Sequence, residues 1–194
     1  MFGQGFEHVL AAARRGDERA WTELYLELAP VVTGYLVGQG CPNAEDVASE
    51  TLFQVVRDLS RFDGDEGAFR SWVFTIAHHR LIDARRYASV RPAAATDADE
   101  LLRHAPLGVS SEDQAFAQLG AGSVEHLLEA VTDEQRDVLL LRYVADLSLR
   151  EVGQVLGKNY NATKALHRRA LDALREELSA PAPTARTRAG VSVR

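Results

Sequence analysis

The segment that most restricts the fold of this chain is residues 147–178, which has the pattern of a helix-turn-helix. Ser148, followed three residues later by Glu151, is a capping box that predicts the start of a short helix. Gly157 then predicts the turn before a second helix. The apolar positions of that second helix recur at spacings of three and four, so they are predicted to pack on one side. These positions are Ala162, Leu166, Ala170 and Ala173.

The opposite side of the second helix is basic. Lys164, Arg168 and Arg175 follow one another at spacings of four and seven, which places them together and away from the apolar positions. A side that packing does not use is free to contact phosphates and base edges in a major groove. This arrangement predicts DNA binding.

Basic residues are concentrated in two short segments of an otherwise acidic chain. The formal net charge is −6, which argues against a uniformly basic nucleic-acid binder. Residues 70–91 contain five arginines and one aspartate, and residues 158–175 contain five basic residues and one aspartate. Two local basic patches on an acidic body indicate directed contact with a polyanion.

Several classes of protein are excluded by what the sequence does not contain. Cys41 is the only cysteine, so no intrachain disulfide is possible. There is no apolar run of membrane-spanning length and no N-terminal signal pattern, and we therefore expect a cytoplasmic protein without direct membrane contact. Since no phosphate-binding loop, dinucleotide turn or nucleophile elbow is present, we expect neither enzymatic activity nor a cofactor.

One pair of side chains has the spacing of metal ligands. His79 and Asp83 are one helical turn apart and could share a cation, but no third ligand has suitable spacing nearby, and His78 points away from its neighbour. We therefore expect no metal site.

Helical spacing extends over most of the chain, and no segment alternates as a strand would. We predict an all-α protein of two small helical domains joined by a flexible linker. The predicted units are a first domain at 1–88, the linker at 89–112, a second domain at 113–178 and a disordered tail at 179–194. Predicted helices cover about 6–15, 17–38, 43–60, 68–87, 111–130, 133–145, 148–156 and 161–178. Pro30 is expected to kink or break the second of these, and Asn43 to cap the third.

The third predicted helix has two distinct faces. Core packing explains its apolar stripe, which consists of Ala48, Leu52, Val55 and Leu59. It does not explain Phe53, which lies on the opposite side among charged and polar residues. Two interpretations remain open for that side: a solvated face with one stray aromatic residue, or a partner-binding face with an aromatic anchor.

The fourth predicted helix combines aromatic and basic residues. Trp72 and Phe74 are two residues apart and point in different directions, so one core face cannot easily hold both. Arg80, Arg85 and Arg86 follow. Aromatic rings interleaved with arginines suit unstacked bases. The alternative is a small core with a positively charged helix C-terminus, which the helix macrodipole favours.

Three segments, in this order, resemble the sigma-70 family of transcription initiation factors, of the extracytoplasmic-function (ECF) type. Residues 44–52, AEDVASETL, resemble the part of region 2 that binds the clamp helices of RNA polymerase. Residues 69–86, FRSWVFTIAHHRLIDARR, resemble the segment that recognises and melts the −10 element. Residues 128–178 resemble region 4, which recognises the −35 element, and residues 164–171 resemble its actinobacterial variant. The resemblance covers about residues 6–178.

The resemblance implies a factor that binds core RNA polymerase, directs it to promoter DNA through the −10 and −35 elements, and promotes melting. It also implies an anti-sigma factor as a partner. Implied polymerase contacts are Asp46, Ser49, Glu50, Phe53 and Arg57. Implied −10 contacts are Phe62, Asp63, Gly64, Arg70, Trp72, His78, His79, Arg80, Arg85 and Arg86, with the loop 62–68 as the pocket for an extruded base. Implied −35 contacts are Arg150, Lys158, Asn159, Tyr160, Lys164, His167 and Arg168.

The sequence departs from this family at the turn before the recognition helix. Many relatives have Ser-x-Gly followed by valine, whereas this chain has Asn159, Tyr160 and Asn161 followed by Ala162 and Thr163. Asn161 is expected to adopt the positive φ that glycine would provide. Thr163 places a hydroxyl group where relatives have a methyl group.

Two other classes of protein remain as alternatives. A stand-alone helix-turn-helix regulator with an N-terminal ligand-sensing domain accounts for residues 130–178. It leaves the face at 46–53 and the segment 72–86 without a function. A helical metalloenzyme is the second alternative.

Overall fold

The computed structural model describes residues 5–90, 124 and 126–179, and the regular elements in these residues are all helical. This confirms the predicted all-α fold. The first group comprises α1 (Phe6–Arg14), α2 (Glu18–Gly38), α3 (Ala44–Asp58), a short 3₁₀ turn (Leu59–Arg61) and α4 (Glu66–Val90). The second group comprises α5 (Asp133–Tyr143), α6 (Leu149–Val155) and α7 (Tyr160–Ser179).

Most of the predicted linker and tail lie outside the described residues, so the mobility expected for them remains a prediction. Residues 89 and 90 still belong to α4. Of the helix predicted at 111–130, the described part is helical at residues 124 and 126–129. The predicted domain boundaries likewise remain predictions.

Side-chain caps begin several of the helices. At α2, the Asp17 carboxylate accepts hydrogen bonds from the N–H groups of residues 19 and 20 at 2.9 and 3.0 Å. Reciprocal capping boxes start α5, between Thr132 and Gln135, and α6, between Ser148 and Glu151. The capping box predicted at Ser148 is therefore confirmed. These caps satisfy N–H groups that would otherwise lack an acceptor.

Of the two outcomes expected at Pro30, a break was wrong, because α2 runs continuously from Glu18 to Gly38. The proline ring is exposed, and so is Leu26, whose carbonyl loses its helical donor and can be hydrated instead. Asn43 does occupy the N-cap position of α3, but its side chain makes no capping hydrogen bond.

The first group of helices encloses an extensive apolar core. The predicted stripe of α3 is confirmed, since Ala48, Leu52, Val55 and Leu59 are all buried. Phe74 of α4 is completely buried and meets the ring of Tyr35 from α2 edge-on, with the ring centroids 5.5 Å apart. Trp72 is only partly buried. It stacks on Phe62, at 5.1 Å between centroids. Trp72 and Phe74 thus point to different sides of α4, as expected.

The second group forms the predicted helix-turn-helix. Gly157, with φ +64°, provides the left-handed turn residue between α6 and α7. Gly153 permits the close approach of the two helices, because a Cβ atom there would lie 2.7 Å from the carbonyl oxygen of Lys158. One predicted packing position was wrong: Ala162 is exposed, and Thr163 is buried in its place beside Leu166.

The two groups of helices lie directly against each other. α6 packs on α4, and α5 approaches the C-terminal end of α2. Buried apolar residues from both groups belong to one continuous core, while a smaller apolar cluster of Val131, Leu139 and Ala170 joins α5 to α7. The sequence gives no sign of this contact between the domains.

Candidate polymerase and nucleic-acid interfaces

The basic side of α7 is available to solvent. Lys164 and Arg168 are exposed, whereas Leu166 and Ala170 on the other side are buried. Arg150 on α6 and Tyr160 at the start of α7 are exposed as well. The helix-turn-helix therefore offers a positively charged surface that its own packing does not use.

Two of the predicted −35 residues also serve the local fold. Lys158 donates a hydrogen bond of 2.8 Å to Glu134 on α5, and this interaction lowers the pKa of the Glu134 carboxyl group. Asn159 caps α7, since its side-chain oxygen accepts a hydrogen bond from the N–H of Ala162 at 2.9 Å. The expectation for Asn161 was wrong. It lies inside α7, and Asp146 is the sole described non-glycine residue with a positive φ.

The hydroxyl group of Thr163 is accommodated without a polar partner from outside the turn. It donates to the carbonyl oxygen of Asn159 at 3.0 Å, one helical turn earlier. Thr163 thereby stays completely buried, and its hydroxyl group also lies 3.0 Å from the position of a Cβ on Gly153. The departure from the family pattern is thus compatible with burial of residue 163.

Tyr143 was not predicted as part of the site. Its hydroxyl group lies 3.0 Å from Nε2 of His167 on α7, and the two rings are 5.7 Å apart. Partial burial lowers the pKa of the His167 imidazole, and the charge of Arg142 lowers it further. His167 is thus favoured in its neutral form, with one ring nitrogen held by a residue of α5. The sequence feature that could have identified this residue is the tyrosine at the end of the Leu141-Arg142-Tyr143 segment.

The loop before α4 is fixed from several directions. Gly64 has φ +153°, and a Cβ atom there would lie 2.9 Å from Cβ of Ala68 and 3.1 Å from the ring of Phe62. Asp65 accepts a hydrogen bond from the N–H of Ala68 at 2.8 Å, which starts α4 two residues before the predicted position. The carbonyl oxygen of Phe62 accepts a hydrogen bond from Arg14 of α1. Asp63 remains exposed.

The predicted −10 residues on α4 divide into two sets. His79 and Arg86 are exposed. Arg70, His78 and Arg85 are instead engaged in contacts within the protein, so His78 in particular cannot reach DNA in this arrangement. Arg80 links α4 to α3 through hydrogen bonds to Gln54 and an ion pair of 3.1 Å with Glu50.

The outer side of α3 carries every residue predicted to contact polymerase. Asp46, Ser49, Glu50, Phe53 and Arg57 are all exposed. Phe53 is 69% exposed, and the neighbouring Val56, which the sequence analysis did not select, is 47% exposed. The structure thus presents an aromatic and an aliphatic side chain together at the centre of a charged helix face.

Two features of the described residues bear on the alternatives. Within them, no helix is long and apolar enough to cross a membrane. In the same residues, no three His, Cys, Asp or Glu side chains converge as metal ligands would.

Comparison with known proteins identifies the family to which this chain belongs. A model of sigma-70 region 2 matches residues 24–91, and one of sigma-70 region 4 matches residues 127–176. The chain is 30% identical over 171 residues to the ECF RNA polymerase sigma factor ShbA of Streptomyces griseus, covering 84% of this chain and 90% of that protein. It is 28% identical over 186 residues to the ECF sigma factor SigD of Mycobacterium tuberculosis, covering 93% and 87%.

The fold is also similar to that of CnrH in its complex with the cytosolic domain of CnrY. The TM-score is 0.63 at 23% identity, over 88% of this chain and 94% of CnrH. The region 2 match accounts for the first group of helices, which a stand-alone helix-turn-helix regulator would leave unexplained. The chain therefore belongs to the sigma-70 family as an ECF sigma factor, a transcription initiation factor that directs RNA polymerase to promoters.

Proposed function

We propose that this sigma factor assigns its tasks to three surfaces. The outer side of α3 binds core polymerase, the loop at 62–65 with α4 holds the −10 element, and the basic side of α7 recognises the −35 element. Catalysis stays with the polymerase, and the factor itself acts in the cytoplasm without enzymatic activity. The observation that carries this proposal is the exposed basic side of α7 on a packed helix-turn-helix.

The assignment of α3 rests on Phe53. A large aromatic side chain exposed among charges is the type of residue that anchors protein interfaces, where it fills a pocket and the charges around it set specificity. The apolar stripe on the other side of α3 is already buried, so Phe53 has no role in the core.

The assignment of the −10 surface rests on the loop and its aromatic support. Phe62 and Trp72 form a stacked pair beside Gly64 and the exposed Asp63. A base that leaves the duplex loses a few kcal/mol of stacking and pairing, which a pocket with an aromatic wall offsets. Exposed His79 and Arg86 lie further along α4, where they can contact the phosphates of the captured strand.

The proposed function requires the two domains to separate. The names of the −10 and −35 elements place them about 25 base pairs apart, which is roughly 85 Å along DNA. α7 has 20 residues and is therefore only about 30 Å long. Since α7 packs on α6 and α6 packs on α4, the two DNA-binding surfaces are far too close in the present arrangement.

An anti-sigma factor is proposed as a further partner. The support is the family resemblance, together with the fact that CnrH was solved as a complex with the cytosolic domain of CnrY.

Run-off transcription with core polymerase on genomic fragments tests the function, with start sites mapped on the products. Initiation should occur at discrete sites that share two sequence elements. Lys164→Ala should weaken the preference for the upstream element while leaving binding to core polymerase intact. Initiation that does not depend on the upstream sequence would contradict the assignment of α7.

A further inference from the structure

The Tyr143–His167 pair lies at the edge of the basic side of α7. His167 follows Lys164 by three residues, so these two side chains are neighbours on the surface of the helix. On the other side of His167, its neighbours Thr163 and Ala170 are completely buried. His167 is therefore half-buried, between the packed side of α7 and the side proposed to meet DNA.

Tyr143 is anchored at its backbone although the residue is 60% exposed. It is the last residue of α5, and hydrogen bonds hold the turn that follows it. The guanidinium group of Arg142 donates to the carbonyl oxygen of Leu147 at 2.8 Å, and the N–H of Leu147 donates to the carbonyl oxygen of Leu141 at 3.1 Å. The hydroxyl group of Tyr143 thus reaches His167 from a fixed helix end, while its exposed ring contributes little to the core.

The contact between the two side chains engages one nitrogen of the imidazole. The hydroxyl oxygen lies 3.0 Å from Nε2, and the ring planes are inclined at 33°. The other nitrogen, Nδ1, has no hydrogen-bond partner within the part of the chain that the structure describes. The imidazole is thus held at one nitrogen and free to bind a ligand at the other.

The surroundings of His167 favour a neutral ring. Partial burial lowers the pKa of its imidazole, and the positive charge of Arg142 lowers it further. A neutral imidazole has one donor and one acceptor nitrogen, and the hydrogen bond made by one nitrogen decides the role of the other. Lys164 and Arg168 carry charges that any phosphate can satisfy, whereas a neutral His167 makes a directional hydrogen bond.

The chemistry of the two groups indicates the direction of their hydrogen bond. The lone pair of an imidazole nitrogen is localised, whereas a phenolic oxygen shares electron density with its ring. A phenol is therefore the better donor and an imidazole nitrogen the better acceptor. Donation from Tyr143 to Nε2 leaves the proton of the neutral ring on Nδ1. A histidine side chain in water prefers the opposite arrangement, with its proton on Nε2.

We propose that Tyr143 is a positioning residue for −35 recognition, because it holds His167 with its proton on Nδ1, and this N–H selects a base edge that offers an acceptor. The inference rests on the proposed role of α7 in −35 recognition. In the major groove, purine N7, guanine O6 and thymine O4 are acceptors, whereas the N4 amino group of cytosine is a donor. A cytosine at the contacted position places two donors face to face, so His167 discriminates against it.

The position of the proton can be measured in the full-length protein. With isotope-labelled histidine, long-range proton–nitrogen NMR correlations distinguish a protonated ring nitrogen from an unprotonated one, and His167→Ala identifies the signals of this residue. In the wild-type protein Nδ1 should carry the proton, and Tyr143→Phe should shift it towards Nε2. A wild-type proton on Nε2 would overturn the proposal, and so would a distribution that Tyr143→Phe leaves unchanged.

Base selection can be measured with holoenzyme assembled from core polymerase and full-length protein. Cytosine is placed in turn at each position of the upstream element, on either strand, and affinities are obtained by competition. The position read by His167 is the one at which His167→Ala removes the discrimination against cytosine. There the wild-type holoenzyme should disfavour cytosine by about two- to twelve-fold, and Tyr143→Phe should reduce this ratio while leaving the other positions unchanged.

Tyr25→Phe is the matched control, because it removes the hydroxyl group of a similarly exposed tyrosine on α2. It should change neither the tautomer of His167 nor base selection. If Tyr143→Phe weakens binding equally for every sequence, or if Tyr25→Phe has the same effect, Tyr143 has no part in selection and the proposal is wrong.

The remaining outcomes separate this inference from the proposed function. If Lys164→Ala changes base selection but His167→Ala changes it at no position, the inference fails and the proposed role of α7 stands. If the wild-type holoenzyme discriminates at no upstream position, the proposed role of α7 fails, and this inference fails with it.

Discussion

The two surfaces proposed to bind DNA differ in how far their basic residues are free of contacts within the protein. The basic side of α7 is exposed, and the residues behind it are packed. On α4, Arg70 and Arg85 are instead engaged with the second domain and with Gln39. The domains also differ in their cores, since the first contains Tyr35, Phe69 and Phe74, whereas the second is built from small aliphatic side chains. The proposed −35 surface thus depends on structure within one domain, while two arginines of the proposed −10 surface are held by other contacts.

The largest effect is expected from the core of the first domain. Phe74→Ala removes a completely buried ring and should lower the free energy of unfolding by about 3–5 kcal/mol. Trp72→Ala should cost less, because Trp72 is partly exposed. Urea denaturation followed by circular dichroism measures both. Equal losses would mean that Trp72 is also a core residue, and its proposed place at the −10 surface would have to be abandoned.

The next largest effect is expected on the outer side of α3, the proposed polymerase-binding face. Phe53→Ala should weaken binding to core polymerase by about 2 kcal/mol or more, roughly thirty-fold, because it removes the aromatic anchor. Tyr25→Ala is the matched control, since Tyr25 is a similarly exposed aromatic residue on α2. Fluorescence anisotropy with labelled protein gives both affinities. A similar loss for the two variants would show that α3 has no special role.

The substitution Lys164→Ala allows a direct comparison of the two proposed DNA-binding surfaces. Lys164→Ala should weaken binding to a −35 duplex by about 1–3 kcal/mol if the contact is to a base edge. The same substitution should leave binding to a −10 single strand unchanged, because Lys164 is an exposed residue of α7 in the other domain. An equal loss at both elements would erase the contrast between the surfaces.

The smallest effect is expected from Tyr143. Tyr143→Phe removes the hydrogen bond to His167 and should weaken −35 binding by about 0.5–1.5 kcal/mol. In a His167→Ala background the same substitution should have little further effect, which a double-mutant cycle on duplex DNA measures. Additive losses would show that Tyr143 acts independently of His167.

Local rules were sufficient for most of the second domain. The capping box at Ser148 and the turn at Gly157 depend on neighbouring residues, and both were found where the sequence predicts them. Asn161 was misassigned because α7 begins at Tyr160 with Asn159 as its cap, so residue 161 lies inside the helix. Leu166 and Ala170 of the predicted side are buried, but that side begins at Thr163, three residues before Leu166, and leaves Ala162 exposed.

The contact between the domains could not be predicted from local patterns. Arg70 and Asp146 are 76 residues apart, and Gln39 and Asp137 are 98 apart. No spacing rule connects such pairs, and Arg70 by itself has the character of a DNA-binding residue. Pro30 shows the same limit on a smaller scale, since it is tolerated inside α2 only because that side of the helix faces water.

The close contact between Gly38 of α2 and Leu140 of the second domain has a consequence for mutations at position 38. The N–H and carbonyl groups of this glycine belong to the last turn of α2, and α2 itself would accept almost any side chain there. Only Leu140 from the other domain limits its size. Bulky substitutions at position 38 should therefore spare the fold of the first domain and push the second domain away. Alleles with such substitutions should therefore yield a stable protein whose two domains no longer pack as they do here.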